Sequence, residues 1–523
     1  MKSGDTSLSR RGFFGSAAAA GAVTAVSLGH GAAMADPAAN ATSPLFFGRV
    51  FPNLPPFAPA GPALQEAMRE LGRPGGLMDA QDPLAEGPIR LITNPELSPN
   101  NRDNPFHTAG TTFLGQFIDH DFTFDLTSTL GVPTPPETTR NNRNPTLALD
   151  SVYGGGPVAN PELYDTNDRA KFRVESGGTF EDLPRRADGV AIIADPRNDE
   201  NLMIAGLRVA FLLFHNRVVD RVRAAGTPAG QVFNEARRLV TWHYQWIIVN
   251  EFLPQIITFG ITQDILAHGR KSYRPVAGQQ FMPVEFQGAI YRFGHSMIRP
   301  SYRANLRGDP NGGPASGAPA FFGFVFDPAG QGQADPVDLR GGARAPRRFI
   351  GWQTFFNFGG AFTTAVRPNK RIDTKISTPL FNLPIGAIAT GDPPTALPQR
   401  NLLRHITWSL PSGQALAGAM GQPPLGPEVF PELRAFNLGL DANTPLWYYI
   451  LREASVINDG QALAGVGARL VGEVFIGLLE LDPTSYLAVN RNFRPTLPSR
   501  TAGEFGIVDL LTFAGVDPAS RGQ

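Results

Sequence analysis

A histidine between two carboxylates, with an amide one helical turn before it, is the stretch of this chain best equipped for chemistry: Thr112-Phe113-Leu114-Gly115-Gln116-Phe117-Ile118-Asp119-His120-Asp121-Phe122. In a helix, Gln116 and His120 would share one face at a spacing of four. An imidazole titrates near neutral pH, so it can take a proton and return it during a reaction. Taken alone, a histidine among acids in an apolar helix is more often structural than catalytic, and other residues must decide.

The elements that must position such residues read as helices set in long loops. Residues 200–225 carry apolar side chains at helical spacing (Leu202, Ile204, Leu207, Phe211, Phe214, Val218, Val222), and 232–252 repeat the pattern. Thr444-Pro445-Leu446 looks like an N-cap with proline at the first helical position, opening a helix through about residue 454, and 465–481 form another. The 57 glycines and 48 prolines cluster at 51–62, 130–145, 308–319, 327–346 and 392–398, which read as loops. No internal repeat or sustained period-two alternation appears. The expected fold is therefore mainly α, a single large helical domain over residues 36–523 with long loops and little β-structure.

Composition narrows the function. The 523 residues hold 46 Lys+Arg against 46 Asp+Glu, with no basic block, so no electrostatic footprint for nucleic acid or an anionic membrane is present. Absence of cysteine excludes disulfides, thiolate metal sites, Fe–S clusters and cysteine nucleophiles, and any metal must use His, carboxylate or carbonyl ligands. Ser9-Arg10-Arg11-Gly12-Phe13-Phe14, a mildly apolar run over 16–28 and Ala33-Met34-Ala35 read as a twin-arginine signal peptide, residues 1–35, cleaved before Asp36. The run is too short and too weakly apolar for a membrane anchor, so no transmembrane segment is expected there. The expected location is secreted or periplasmic.

Three later segments hold residue types that complement His120. Asp195-Pro196-Arg197-Asn198-Asp199-Glu200 offers a fixed cation and a carboxylate, Tyr291-Arg292-Phe293-Gly294-His295-Ser296-Met297-Ile298 a second histidine, and Arg400-Asn401-Leu402-Leu403-Arg404 an amide between arginines. Together with Gly115-Gln116-Phe117-Ile118-Asp119-His120-Asp121, and in this order, they resemble the animal-type haem peroxidase family, the peroxidase–cyclooxygenase superfamily. The remainder, from Arg49-Val50-Phe51-Pro52-Asn53-Leu54-Pro55 to 465–487, looks like the bacterial branch of that family, so the resemblance covers nearly all of the chain after the signal.

The resemblance implies a haem peroxidase that reduces hydrogen peroxide through a ferryl intermediate and oxidises small reductants or anions such as iodide, bromide, thiocyanate or phenols. His295 is the implied proximal ligand of haem iron, with Asn401 accepting from its other ring nitrogen through the side-chain carbonyl. On the distal side His120 would be the acid–base group, Arg197 the cation facing negative charge on the departing oxygen, and Gln116 a partner of distal water or a small anion. Arg292 and Arg404 match arginines that contact haem propionates. The cofactor is expected to be haem b, with Asp119 and Glu200 as the carboxylates available for ester links to it. Asn201 follows Glu200 where the halide-oxidising mammalian member has methionine, which excludes a sulfonium link there.

A calcium ion is implied next. Asp121 and Pro145-Thr146-Leu147-Ala148-Leu149-Asp150-Ser151 resemble the two halves of the family's Ca2+ site, with Asp121, Thr146, Asp150, Ser151 and the Ala148 carbonyl as hard oxygen ligands. The family's serine usually lies two residues after the aspartate, whereas Ser151 follows Asp150 directly, which makes it the weakest of the five.

Two alternatives belong to other classes. A cyclooxygenase-like fatty-acid dioxygenase needs a tyrosine three residues before the proximal histidine; that position is Arg292, and the adjacent Tyr291 would point about 100° away on a helix. A haem-binding protein without turnover is the other, and the presence of Gln116, His120 and Arg197 argues against it. His107, His215, His243, His268 and His405 match no catalytic role and read as structural or surface residues.

Overall fold

Apolar residues at helical spacing dominate the longest uninterrupted stretches, and these become the core helices of the structure, a computed structural model. It describes residues 46–178, 180–306, 320–333, 335–345, 347–388 and 391–522. The expected signal over 1–35 lies outside the described residues, as does the loop expected at 308–319. All described residues fall in the unit Thr42–Gln523.

Two helices form the centre. One (α2, Leu202–Ala224) is capped by Asn201, whose side chain accepts from the Ile204 N–H, and sixteen of its residues are buried. It is long and apolar enough to cross a membrane, but 83% of that apolar stretch is packed inside the protein, which makes it the helix at the core. The next (α3, Val232–Ile247) lies against it and continues through a π-helical turn, Ile248–Phe252, into a short helix (α4, Leu253–Ile257). The expectation of one helix over 232–252 therefore holds in direction but misses the widened turn, which periodicity cannot distinguish from α-helix.

The helix carrying His120 (α1, Ala109–Phe122) packs on α2 through a stacked Phe117–Phe211 pair with centroids 4.7 Å apart. Its first N–H groups are satisfied from neighbouring loops, Ala109 by the Arg367 carbonyl and Gly110 by that of Phe355. Gly110 is required by close packing: a Cβ there would stand 2.4 Å from the Phe356 ring. A single-turn helix carrying His295 (α5, Gly294–Met297) follows a 3₁₀ turn, Ile290–Phe293. Three later helices complete the frame: α6 (Leu397–Thr407), α7 (Leu446–Asn458) and α8 (Gly465–Leu481). The last has the expected bounds. In α7 the cap is Pro445 rather than Thr444, whose hydroxyl donates to the Asp441 carbonyl and whose N–H goes to Gln414.

Strands are short and serve as clips. Among the described residues there are four two-stranded sheets, and one matters to the site: β1 (Asp103–Thr108) pairs antiparallel with β2 (Pro368–Lys370), ties the start of α1 to the distant 368–370 segment, and slips register between Asn104 and Thr108. The mainly α expectation is met.

Candidate active site

Helix α1, the turn before α2, the turn at Ile290–Phe293 with α5, and α6 meet around one cleft of about 1540 Å³, counting its open mouth. Its walls include Gln116, Asp119, His120, Arg197, Glu200, Arg292, His295 and Arg404, contributed by segments nearly 300 residues apart in sequence. The remaining wall is largely apolar, with Phe113, Phe252, Phe293, Ile298 and Leu380 among its members.

His120 is buried, and Nδ1 lies 2.9 Å from the Asn198 side-chain oxygen. That oxygen can only accept, so Nδ1 carries the proton and Nε2 keeps its lone pair, 3.8 Å from a Glu200 carboxylate oxygen. Burial, and then the neighbouring Arg197 charge, push the imidazole down to about 3, so the ring is neutral and its Nε2 lone pair is unprotonated near pH 7. Gln116 lies one turn before His120, as the helical spacing requires; its amide nitrogen donates to Glu200 and its oxygen accepts from Asn201 at 3.4 Å. Burial raises Glu200 to about 8, which makes it a neutral acid near pH 7.

Arg197 is held from behind. Its Nε and Nη2 donate to Asp195 at 3.0 and 2.8 Å, and Nη2 also donates to the His120 and Thr123 carbonyls at the end of α1. A second arginine, Arg143, donates to the same buried Asp195. Burial pushes that carboxyl up, but the two guanidiniums outweigh it and hold it below the usual carboxylate range. Arg197 Nη1 remains on the cleft side, 3.5 Å from Asp119. Burial raises the Asp119 carboxyl against the opposing pull of Arg197.

His295 borders the cleft and is pushed down to about 3 by burial and by Arg292. Its Nδ1 is 2.7 Å from Asn401, but the amide nitrogen faces it, not the expected carbonyl. The reason is Arg292, which can only donate and takes the Asn401 oxygen at 3.0 Å. Behind Asn401 stands His405, whose Nδ1 donates to the Asn401 main-chain carbonyl at 2.9 Å while Nε2 accepts the Trp447 main-chain N–H at 2.8 Å. Trp447 in turn packs edge-on to His295 and donates its indole N–H to the Arg292 carbonyl. His405 is thus structural, as expected, but it braces the site.

Arg404 departs from its expected role in one respect: it donates to Asp125 at 2.7 Å and to Ser128, neither of which the sequence suggested. Its Nε is nonetheless buried without a partner, as is the Gln287 side-chain oxygen on the same cleft. Tyr291 also borders the cleft, with its hydroxyl donating to the Gly115 carbonyl at 3.1 Å. On the 3₁₀ turn both Tyr291 and Arg292 reach the cleft, which the helical projection did not anticipate.

The five oxygen-bearing residues of the expected cation site also draw together in part. Asp121 is fully buried; it accepts from Leu149 N at 2.9 Å and, at 3.3 to 3.5 Å, from Ser151 N, Ser151 Oγ and Tyr244. Burial and the nearby Asp150 charge raise it to about 7. The Thr146 hydroxyl is buried with no partner. The Ser151 hydroxyl faces Asp121, another of the five, and its carbonyl takes Asn198 and Arg208.

Asn198, Asp195, Arg143, Asp125 and Trp447 are the residues that sequence reading passed over. Asn198 lies between Arg197 and Glu200, and only its polar type there hinted at a role.

Comparison with known proteins bears on family and fold. Residues 135–316, which include Arg197, Glu200 and His295, match the animal haem peroxidase family model. The chain is 30% identical over 131 residues to dual oxidase from Drosophila melanogaster, covering 24% of this chain and 8% of that protein. It is 29% identical over 273 residues to a peroxidase-like protein from Margaritifera margaritifera (40% and 34% covered) and 26% identical over 311 residues to heme peroxidase 2 from Caenorhabditis elegans (55% and 40%). The chain thus spans less than half the length of these relatives. Among solved structures, peroxidase A from Dictyostelium discoideum shares the fold at 15% identity and TM-score 0.59, covering 90% of this chain and 94% of that one. The fatty acid alpha-dioxygenase of Oryza sativa shares it at 14% identity and TM-score 0.51, covering 73% and 70%. Residues 135–316 thus match the animal haem peroxidase family, and the mainly α fold that holds them gathers two histidines on one arginine-bearing cleft.

Proposed function

We propose that this protein is a haem-dependent peroxidase that consumes hydrogen peroxide and oxidises a small reductant or anion. The observation that carries the reading is the placement of His120: a buried imidazole whose Nδ1 faces the Asn198 oxygen, on the cleft that also holds His295.

The cleft fits haem by its chemistry. His295 Nε2 has no hydrogen-bond partner among the described residues and is the candidate iron ligand, the wall is largely apolar, and Arg292 with the unpartnered Arg404 Nε suits two propionates. Ligation through Nε2 requires the proton on Nδ1 and an acceptor there. A propionate taking Arg292 would release the Asn401 carbonyl to turn toward Nδ1, which reconciles the observed amide with the expected one. Bound haem would supply an open coordination position for peroxide and the electrons that cleave its O–O bond.

The chain's own residues would do the rest. His120 Nε2 takes the proton from the near peroxide oxygen and returns it to the departing one. Arg197, locked by Asp195 and turned inward at Nη1, meets the negative charge that develops there without reorganising. Gln116 orders the distal space. Asp119 and Glu200 line the cleft as carboxyls raised by burial and are the residues proposed for ester links to haem methyl groups, a bond whose formation would oxidise the methyl carbon by two electrons at the expense of hydrogen peroxide, which becomes water. Asp121, Thr146 and Asp150, with the Ala148 carbonyl, are the proposed calcium ligands; a hard cation would relieve the repulsion between the two aspartates and occupy the unpartnered Thr146 hydroxyl. Residues 1–35 are proposed to direct export by the twin-arginine route.

One observation favours the dioxygenase alternative: Tyr291 borders the cleft. Its hydroxyl is engaged by the Gly115 carbonyl and its ring stacks on Phe286 at 4.9 Å, which leaves the peroxidase reading ahead.

The test is an absorption spectrum of the chain with haem supplied, before and after one equivalent of hydrogen peroxide. A Soret band that shifts within milliseconds of mixing is expected. Haem that binds but does not respond would favour a carrier, and no Soret band at all would sink the reading.

A further inference from the structure

The base at His120 is useful only if its lone pair sits on Nε2, and the side chain that decides this is Asn198 at the turn before α2. Asn198 is fully buried, and its oxygen lies 2.9 Å from His120 Nδ1. A carboxamide can be turned over, so the orientation needs a reason. The amide nitrogen of Asn198 donates to the Ser151 carbonyl at 3.3 Å. A carbonyl only accepts, so the turned-over amide would set oxygen against oxygen on one side and place N–H groups on Nδ1 on the other. The Ser151 carbonyl is itself held by the buried Arg208 guanidinium. The other polar side chains of the turn point elsewhere: Asp195 takes Arg197 and Arg143, and Asp199 takes Arg185.

We propose that Asn198 is the positioning residue of the distal base, accepting Nδ1–H so that His120 presents an unprotonated Nε2 to the cleft, with the Ser151 carbonyl keeping Asn198 in that orientation. The inference rests on the peroxidase reading and adds to it the element that selects the tautomer. A mutual-orientation pair of this kind costs about 10- to 100-fold in activity when the outer partner is lost.

The test uses the full chain labelled with 15N-histidine, without haem, and long-range 1H–15N correlations that report which ring nitrogen carries the proton. Signals of His120 are those absent from His120→Gln. The wild-type chain should show Nδ1 protonated and Nε2 bare. Asn198→Leu, which keeps the size but removes the acceptor, should move the proton to Nε2; Asn198→Asp, which keeps an acceptor, should leave it on Nδ1. Loaded with haem, Asn198→Leu should react with hydrogen peroxide about 10- to 100-fold more slowly, and Asn198→Asp faster than Asn198→Leu. A wild-type His120 protonated on Nε2 overturns the proposal without any variant, which covers an Asn198→Leu chain that fails to fold. An unmoved proton in Asn198→Leu with unchanged peroxide reactivity also overturns it. Failure of the peroxidase reading looks different: there the wild-type chain supplied with haem would show no Soret band or no response to hydrogen peroxide, while the ring-nitrogen signals of the haem-free chain would still read the tautomer.

Discussion

At the scale of single residues, the two histidines divide the work, and their variants should separate cleanly. His295→Ala removes the candidate iron ligand and should abolish the Soret band of the reconstituted chain. His120→Ala touches no proposed ligand, so the band should remain while the bimolecular rate with peroxide falls by more than the roughly 10²–10⁴ of a single acid–base group, because Arg197 acts on the same charge. Stopped-flow mixing measures both; fast peroxide reaction in His120→Ala would remove the distal assignment. The family resemblance singled out these two positions, along with Gln116 and Arg197, and the structure brings all four to one cleft. Asn198 was not legible as a partner, because the bond between it and His120 joins residues 78 apart and nothing local encodes the distance.

At the scale of elements, the junction at Glu200-Asn201-Leu202 does more than start a helix. Asn201 caps α2 through the Ile204 N–H and also holds the Gln116 oxygen at 3.4 Å. Asn201→Ala should therefore lower stability by about 0.5–2 kcal/mol, the usual worth of an N-cap, and loosen Gln116 as well. Thermal denaturation reads the first effect and anion affinity of the haem-loaded protein the second; an unchanged Tm would show that the cap carries no weight. Helix existence was legible from apolar periodicity, and α8 even in its bounds. The π-helical turn at Ile248–Phe252 and the 3₁₀ turn at Ile290–Phe293 were not, since periodicity over four or five residues does not separate these turns from α-helix. The second of these is why Tyr291 and Arg292 both reach the cleft.

For the whole molecule, the site is an assembly of α1, the turn before α2, α5 and α6, and anything that loosens their mutual packing should act on it. The calcium loop is the candidate clamp, because Asp121 follows His120 on α1 and Ser151 reaches both Asp121 and Asn198. If the ion binds, a hundred-fold excess over its Kd contributes about 2.7 kcal/mol, so chelation should lower Tm by a few degrees. Asp121→Ala should show no further loss on chelation. Calorimetry with and without EGTA decides, and an unchanged wild-type Tm would remove calcium from the account.

The sequence by itself determined which stretches are helical, which residue types could transfer protons or ligate iron, and the order of motifs that carries the family resemblance. Those properties are local: periodicity, capping and spacing lie within a few residues of one another. Only the tertiary structure decided that Asn198 orients His120, that Asp195 anchors Arg197 beside Arg143, that Arg292 holds the Asn401 carbonyl, and that Arg404 meets Asp125. Each of the first, third and fourth of these bonds spans some 80 to 280 residues. Such pairs are set by how helices and turns pack around the cleft and by the need of buried polar groups to find partners, which no local pattern records.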